Sequence, residues 1–387
     1  MDFNQTAEQK ALVAAAQQFA QDKLIASDQH SQLRTSASFD HRAFWDQCAS
    51  AAYCGLPLST SVGGRALPLV DCMLVFEALA AAGADLGFLF SLGVHQFAVS
   101  IPLAVVGTDA QKSQWLPALA RGSFIGALAV SEREAGSDSY AMQAEAVETD
   151  AGFEIRGDKI WISNAPVADV LLVCARTDDI AGAFGISCFI IPAKSKGLSI
   201  KPGPAKAGLR GAPWGSVQMD GVEVPSDNML GGRGGGAAVF GECMRWERCG
   251  LFAIALGAMH KSLKETLGHV RRRQQFGGPL IEKDTVAKSV ALMKTRLDAA
   301  RLLLYQAAAT VDGRQADDAA ICLAKAFVSE AAVTNALAAQ ELVGAAGITE
   351  QSAANAFLND MLPFRVLSGP TDVHYKIASR LMLPTVT

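Results

Sequence analysis

The sequence has little that indicates a nucleic-acid partner, a membrane span or a secretory leader. Its formal net charge is −4 and it contains no long block of basic residues, which disfavours binding to nucleic acid. No apolar run reaches the roughly 18 residues that a membrane span needs, because His95 and Gln96 interrupt the longest one. The opening residues, MDFNQTAEQK, are polar and acidic, unlike a signal peptide. We therefore expect no nucleic acid and no membrane span.

The cysteines also lack a pattern. There are eight, at positions 48, 54, 72, 174, 188, 243, 249 and 322, with no CxxC pair and mostly within apolar segments. Buried free thiols in a reducing compartment explain this distribution better than disulfides or a metal centre. We expect a cytoplasmic protein with no metal site.

Of the 387 residues, 50% are hydrophobic, which is enough for several packed layers. The pattern changes twice along the chain and predicts three domains. Residues 1–118 have the apolar spacing of helices, as in AEQKALVAAAQQFAQDKL, and predict an N-terminal all-α domain. Residues 119–228 contain short runs such as VLLVCAR between Gly, Pro and Asp, and predict a middle antiparallel β domain. Residues 229–387 predict a C-terminal four-helix bundle, with long helical segments at 238–271, 283–312, 317–344 and 350–361.

Three short motifs contain residues suited to binding chemistry, but none is specific alone. The turn SEREAGSD at 131–138 has small residues that let a ring or a phosphate approach the backbone, although it resembles an ordinary surface turn. In the strand GDKIWISN at 157–164, alternation places Trp161 and Ser163 on one face, and a strand tryptophan usually belongs to a core. The run RRRQQFG at 271–277 ends a helix with charges that favour its dipole.

In this order and spacing, the three motifs resemble the acyl-CoA dehydrogenase family over essentially the whole chain. The family's TEPxAGSD turn corresponds to residues 131–138 and its KxWITN strand to residues 159–164. Its RxQFG motif corresponds to RRQQFG, and its QxxGGxG motif to QELVGAAG at 340–347. The resemblance implies bound FAD, a helix–β–helix fold, a homo-oligomer expected to be a tetramer, and an electron acceptor such as an electron-transfer flavoprotein or O2.

The resemblance also implies the cofactor-binding residues. The flavin is expected against Val130, Ser131, Trp161 and Ser163, with Gly136 and Ser137 near phosphates or substrate. Arg273, Gln275, Phe276, Gln340 and Gly344 are expected to reach the adenosine diphosphate half across a subunit boundary, and Asp372 is a further cofactor contact. A guanidinium beside a pyrophosphate makes charge-assisted hydrogen bonds, so pyrophosphate binding would explain why an arginine stands at position 273. Two departures from the family pattern are Arg133 in place of proline and Asp284 in place of glutamine.

The catalytic base is the main departure. Most family members have a glutamate just before a Gly-Thr near the C-terminus, whereas this chain has Ser368 and Gly369 there. A neutral hydroxyl cannot remove a carbon-bound proton unaided. Isovaleryl-type members place the glutamate on the helix before RxQFG, and the corresponding residue here is Glu247. No charged residue occurs between Cys249 and Met259, so a buried helix would desolvate this carboxylate and raise its pKa. The alternative is a salt bridge between Glu247 and a nearby arginine.

Four stretches, SNAPVADV, APW, WER and SGPTDV, are most similar to the prolyl-carrier-protein dehydrogenase branch. That likeness implies oxidation of a prolyl group on a phosphopantetheine arm in natural-product biosynthesis, with Ser137, Arg248, Ser368 and Gly369 near the substrate. The Ser368 position would contribute its backbone N–H rather than its side chain. One alternative is a short- or branched-chain acyl-CoA dehydrogenase. Another is a non-catalytic flavoprotein scaffold, but a retired site has no reason to keep a desolvated charge at Glu247.

Overall fold

A computed structural model describes residues 4–25, 40–178, 180, 182–313 and 315–383. The first part is a layer of helices. Helix α1 (Ala7–Phe19) begins at a capping box in which Thr6 and Gln9 each bind the other's backbone N–H. It is followed by α2 (His41–Ser50), α3 (Leu69–Ala82), α4 (Leu86–Gly93), α5 (Ile101–Val106) and α6 (Asp109–Ala120).

The expectation that no apolar run reaches the length of a membrane span is wrong, because the run continues through His95 and Gln96. Leu86–Val106 is one continuous helical stretch of 21 residues, with a π-helical segment at Val94–Ser100 between α4 and α5. The buried polar groups are satisfied internally: His95 Nδ1 accepts from Gly126 N at 3.1 Å, and Gln96 Oε1 accepts from Leu56 N at 2.9 Å. The helix can therefore pass through both residues without a break.

This stretch and a second one, Asp318–Ile348, have the length and hydropathy of membrane-spanning helices. Both are mostly enclosed by the rest of the protein, with 83% and 67% of their most apolar windows buried. Long apolar helices of this kind also form the cores of globular proteins, and packing inside the fold accounts for their composition.

The middle part is an eight-stranded sheet. Its strands are β1 (Gly126–Ala129), β2 (Glu145–Thr149), β3 (Gly152–Ser163), β4 (Val170–Arg176), β5 (Ile186–Pro192), β6 (Leu198–Pro202), β7 (Trp214–Val224) and β8 (Met229–Leu230). They lie in the order β6-β7-β3-β2-β4-β5-β8, with β1 also paired to β4. The ladders are antiparallel as expected, except that β1 runs parallel to β4 and β2 shares a single parallel bridge with it.

The last part is helical. Its elements are α7 (Gly236–Gly250), α8 (Phe252–Arg272), a two-residue hairpin of β9 (Gln274–Gln275) and β10 (Gly278–Pro279), α9 (Asp284–Asp312), α10 (Asp318–Val343), α11 (Ala353–Met361) and α12 (Thr371–Met382). The segment 238–271, predicted as one helix, forms the two helices α7 and α8, which are separated by a turn at Leu251. The N–H of Leu251 still donates to Glu247 O at 3.0 Å. After the four predicted helical segments the chain forms one more helix, the twelve-residue α12.

The core joins the two helical parts. Helix α8 packs against α3, and every residue from Cys249 to Met259 is buried, as the absence of charge predicted. All eight cysteines are buried and free, which confirms the prediction made from their spacing.

The α3–α8 contact leads to a stability prediction. A Cβ added at Gly257 of α8 would lie 2.2 Å from Glu77 O of α3, whereas one added at Gly241 of α7 meets no atom within 4 Å. Gly257→Ala should therefore lower the free energy of unfolding by about 1–3 kcal/mol through overpacking. Gly241→Ala should raise it by about 0.5–1 kcal/mol, because alanine favours the helix interior. Denaturant unfolding of both variants measures this, and equal effects would contradict the close packing.

Candidate active site

Glu247 lies in the last turn of α7 and is almost completely buried. Oε1 accepts a short hydrogen bond from the Ser368 hydroxyl, and Oε2 accepts one from Cys243 Sγ at 3.3 Å. The carboxylate is therefore bound by two neutral donors, and neither is the arginine of the alternative interpretation. Burial raises the pKa of Glu247 above its usual value, while the bonds from Ser368 and Cys243 and the charge of Arg248 act to lower it.

Ser368 reaches Glu247 from a loop with an unusual backbone. Its φ is +52°, and Gly369 follows with φ +99°. A non-glycine residue in the left-handed region is uncommon, and such residues persist where the surroundings hold them. The contact between the Ser368 hydroxyl and Glu247 was not predicted from the sequence, which indicated a role for the Ser368 backbone only.

Two buried side chains bind this loop from behind. Lys325 of α10 donates to Gly369 O at 2.7 Å, and His374 Nε2 of α12 lies 3.0 Å from Ser368 O and 3.1 Å from Gly369 O. Both acceptors are carbonyls, so Nε2 carries the proton. Sequence reasoning missed both residues, although Lys325 is the only charged residue between Ala319 and Ser329.

A second group of predicted residues lies where β1 and β3 end. Val130 is buried and follows β1 directly, and Ser131 O accepts from Ile160 N at 2.9 Å, which joins the turn to β3. The turn is held by a buried ion pair in which Lys159 Nζ lies 2.8 Å from Glu132 Oε1 and also donates to Val130 O at 3.0 Å. Burial lowers the pKa of Lys159, and its bond to Glu132 opposes this effect.

Trp161 departs from the predicted strand alternation. The β3–β7 register shifts between Lys159 and Ile162, and Trp161 has φ +60° with 52% of its surface exposed. Its ring lies 4.9 Å from that of Trp214, the residue paired with Ser163 across the two strands. A bulky residue in this conformation is an outlier, and outliers of this kind cluster at ligand sites.

Gly136 and Ser137 lie on the exposed loop that follows Glu132, and a Cβ at Gly136 would meet no atom of the described residues within 4 Å. Asp372 is exposed in the first turn of α12. Within the part of the chain that the structure describes, none of these three residues has a contact that assigns it a role.

The remaining predicted residues lie at two exposed turns. Arg273 and Gln275 are exposed at the β9–β10 hairpin, whose tip residue Phe276 has φ +50° and is 90% exposed. Gln340 lies near the end of α10, and Gly344 follows that helix with φ +75°. A phenyl ring that is this exposed in one chain is suited to contact another molecule.

Comparison with known proteins identifies the fold. Acyl-CoA dehydrogenase models match for the N-terminal domain over residues 6–123, the middle domain over 127–222 and the C-terminal domain over 234–383. The chain belongs to the acyl-CoA dehydrogenase family.

Curated acyl-CoA dehydrogenase relatives include an L-prolyl-(peptidyl-carrier protein) dehydrogenase of Pseudomonas fluorescens, 35% identical over 98% of this chain and 99% of that protein. A protein of the same name from a Serratia species is 34% identical over 98% of each chain. The solved structure described as PigA with FAD and proline matches with a TM-score of 0.95 and 33% identity, and covers 99% of both chains. These matches confirm the predicted helix–β–helix architecture.

The residues present fit the FAD that acyl-CoA dehydrogenases use. The half-exposed Trp161 ring beside the Ser131 turn offers an apolar face to a flat ring system. The loop at Gly136 leaves room for a ligand to approach the backbone. Neither departure from the acyl-CoA dehydrogenase pattern obstructs this region, because Arg133 is exposed and Asp284 starts α9.

The Ser368–Glu247 contact leads to a prediction that needs no substrate. Because the hydroxyl stabilises the ionised carboxylate, Ser368→Ala should raise the pKa of Glu247 further, so that the carboxylate forms only at higher pH. Infrared titration of the protonated carboxyl band measures the shift, with Glu247→Gln identifying the band. Ser379→Ala is the control, because that hydroxyl bonds Lys376 O. An unchanged titration in Ser368→Ala would show that the hydroxyl does not support the carboxylate.

Proposed function

We propose that this acyl-CoA dehydrogenase homologue is an FAD-dependent dehydrogenase that oxidises the α,β bond of a prolyl thioester carried on a carrier protein. The observation that carries the proposal is the buried Glu247 carboxylate, bound by Ser368 at the position where most family members have their own glutamate. The relatives named as prolyl-carrier-protein dehydrogenases support the choice of substrate.

Glu247 is the proposed base. A general base that works near neutral pH benefits from a pKa raised above that of an exposed carboxylate, and burial has this effect on Glu247. The group must be ionised to accept a proton, so activity should fall as the pH drops through the raised pKa. Glu247 removes the Cα proton, a C=C bond forms between Cα and Cβ, and the hydride leaves Cβ. FAD, when bound, supplies the acceptor for that hydride.

The protein groups proposed for binding follow from their positions. FAD, when bound, is proposed to place its flavin against Val130, Ser131, Trp161 and Ser163 at the ends of β1 and β3. Gly136 and Ser137, on the neighbouring loop, are proposed to lie near its phosphates or the substrate. Arg248 is proposed to face the substrate, since its Nε is buried with no hydrogen-bond partner among the described residues. The backbone at Ser368 and Gly369 is proposed to polarise the thioester carbonyl. Asp372, exposed in the first turn of α12, is proposed as a further cofactor contact.

Removal of four hydrogens from a prolyl group produces the aromatic pyrrole ring, so two successive two-electron oxidations complete the proposed reaction. Each oxidation removes two electrons from the substrate, and these must pass to an external acceptor, which we propose is an electron-transfer flavoprotein or O2. The eight free buried thiols agree with a reducing compartment such as the cytoplasm.

The second candidate is a dehydrogenase of free short- or branched-chain acyl-CoA. Its basis is the position of Glu247 on the helix before RxQFG, which the isovaleryl-type enzymes share. The two candidates differ in the carrier and in the ring nitrogen, not in the base. Incubation of the protein with prolyl-carrier protein and with a panel of acyl-CoAs, followed by mass spectrometry of the thioester, separates them. Loss of four hydrogens from the prolyl group supports the proposal, and oxidation of acyl-CoA alone overturns it.

The role of Glu247 has a direct test. Glu247→Gln keeps the size of the side chain but cannot accept the proton, so substrate-dependent flavin reduction should slow by about 100-fold or more. FAD content and oligomer size should remain normal, which separates loss of the base from loss of folding. Stopped-flow measurement of flavin absorbance under anaerobic conditions gives the rate. A wild-type rate in this variant would exclude Glu247 as the base.

Cofactor binding across subunits is proposed for Arg273, Gln275 and Phe276 at the hairpin and for Gln340 and Gly344 near the end of α10. Arg273→Ala should weaken FAD retention, because it removes a charge-assisted contact with the pyrophosphate. The measurement is flavin occupancy after dilution and gel filtration. The control is Arg271→Ala, because Arg271 is an exposed arginine in the last turn of α8, the helix that ends just before Arg273. Full occupancy in Arg273→Ala would contradict the assignment.

A further inference from the structure

The loop that carries Ser368 is held by two fully buried side chains from two different helices. The buried Lys325 Nζ of α10 donates a hydrogen bond to Gly369 O at 2.7 Å and lies 5.1 Å from the centre of the Phe252 ring. His374 of α12 donates from its Nε2 to the carbonyl oxygens of Ser368 and Gly369. Burial of an amine and an imidazole is unfavourable unless each has a hydrogen-bond partner, and both find their acceptors in the carbonyls of this loop.

The loop needs such support because its conformation is strained. Ser368 adopts φ +52°, and the next two residues are Gly369, at φ +99°, and Pro370, which has no N–H to bind. A Cβ added at Gly369 would lie 3.1 Å from His374 Nε2, so the imidazole is packed directly against the backbone. Without the two donors, the Ser368 carbonyl and the Gly369 carbonyl would lose their partners, and the left-handed turn would lose the contacts that hold it.

We propose that Lys325 and His374 are positioning residues, which fix the Ser368–Gly369 backbone so that the Ser368 hydroxyl stays on the Glu247 carboxylate. Among the described contacts, neither residue donates a hydrogen bond to Glu247; both act on it through the loop, and Lys325 also acts through its charge. The inference rests on the proposed role of Glu247 as the base. It assigns a task to two buried groups that the family motifs do not include.

Electrostatics adds a second link between Lys325 and the base. The titratable or charged groups that face this region are Glu247, Arg248 and Cys243 of α7, Lys325 and Cys322 of α10 and His374 of α12. Burial and then Arg248 lower the pKa of Lys325 to about 7, and burial, Arg248 and Lys325 lower that of His374 to about 3. His374 is therefore a neutral donor at physiological pH, whereas Lys325 retains part of its charge and lowers the pKa of Glu247.

Lys325→Met tests the proposal, because methionine fills a similar volume but neither donates nor carries charge. Hydrogen–deuterium exchange in the segment from Val366 to His374 should rise in the protein without added substrate. The infrared titration of Glu247 should move to higher pH, and the rate of flavin reduction by whichever thioester the wild type oxidises should fall by about tenfold or more. FAD content should not change.

The matched control is Asn335→Ala. Asn335 is also buried on α10, and its Nδ2 donates to Met293 O, away from the loop. This variant should lose stability without faster exchange in the loop and without a shift of the Glu247 titration. If Lys325→Met behaves like the control, with lower stability but the same loop exchange and titration, Lys325 is only a structural residue and the proposal is wrong.

His374 keeps the proposal testable if Lys325→Met does not fold. His374→Gln retains a donor that reaches a carbonyl, whereas His374→Leu removes it. The glutamine variant should keep most of the wild-type loop protection and rate, and the leucine variant should lose both. Equal behaviour of the two would overturn the proposal. The exchange and infrared measurements require no substrate, so they can succeed even if the prolyl thioester is not oxidised, which would refute the proposed function alone.

Discussion

The candidate site depends on one hydrogen bond, from the Ser368 hydroxyl to the Glu247 carboxylate. A carboxylate that is almost completely buried needs partners, because an unpaired charge in the interior is unfavourable. The departures of this chain from the common family pattern at Ser368 and at Glu247 are therefore joined in one contact. A serine stands at the usual glutamate position and becomes a donor, and a glutamate on α7 becomes the acceptor. Each residue explains the presence of the other in physical terms.

The fold places this contact where two parts of the chain meet. Glu247 lies two residues before the apolar stretch from Cys249 to Met259, which packs in the core shared by α3 and α8. Ser368 is far along the chain, and the carbonyls around it are held by α10 and α12. We propose that the β sheet contributes the flavin side of the site through Trp161, whose bulged strand end lies beside the buried pair of Lys159 and Glu132. Rigid elements thus support each part of the site.

Much of this arrangement could be predicted from the sequence. Apolar spacing and the motif order gave the helix–β–helix architecture, and the charge-free segment after Glu247 indicated a buried carboxylate. Contacts between distant residues could not be predicted, because spacing carries no information on which side chains meet. The Ser368 hydroxyl, the lysine on α10 and the bulge at Trp161 all belong to this class. The apolar run was expected to end at His95, but it continues through this residue because the surrounding backbone satisfies the imidazole inside the core.

The most direct test of the account is a crystal structure of the FAD-loaded protein with an unreactive thioether analogue of the prolyl-phosphopantetheine substrate. The account predicts that a Glu247 oxygen lies about 3–3.5 Å from Cα, the separation at which a reacting pair is poised, with Ser368 still near the carboxylate. The flavin should lie on the opposite side of the prolyl ring. A structure in which Glu247 points away from Cα, and another group occupies its place, would contradict the central claim.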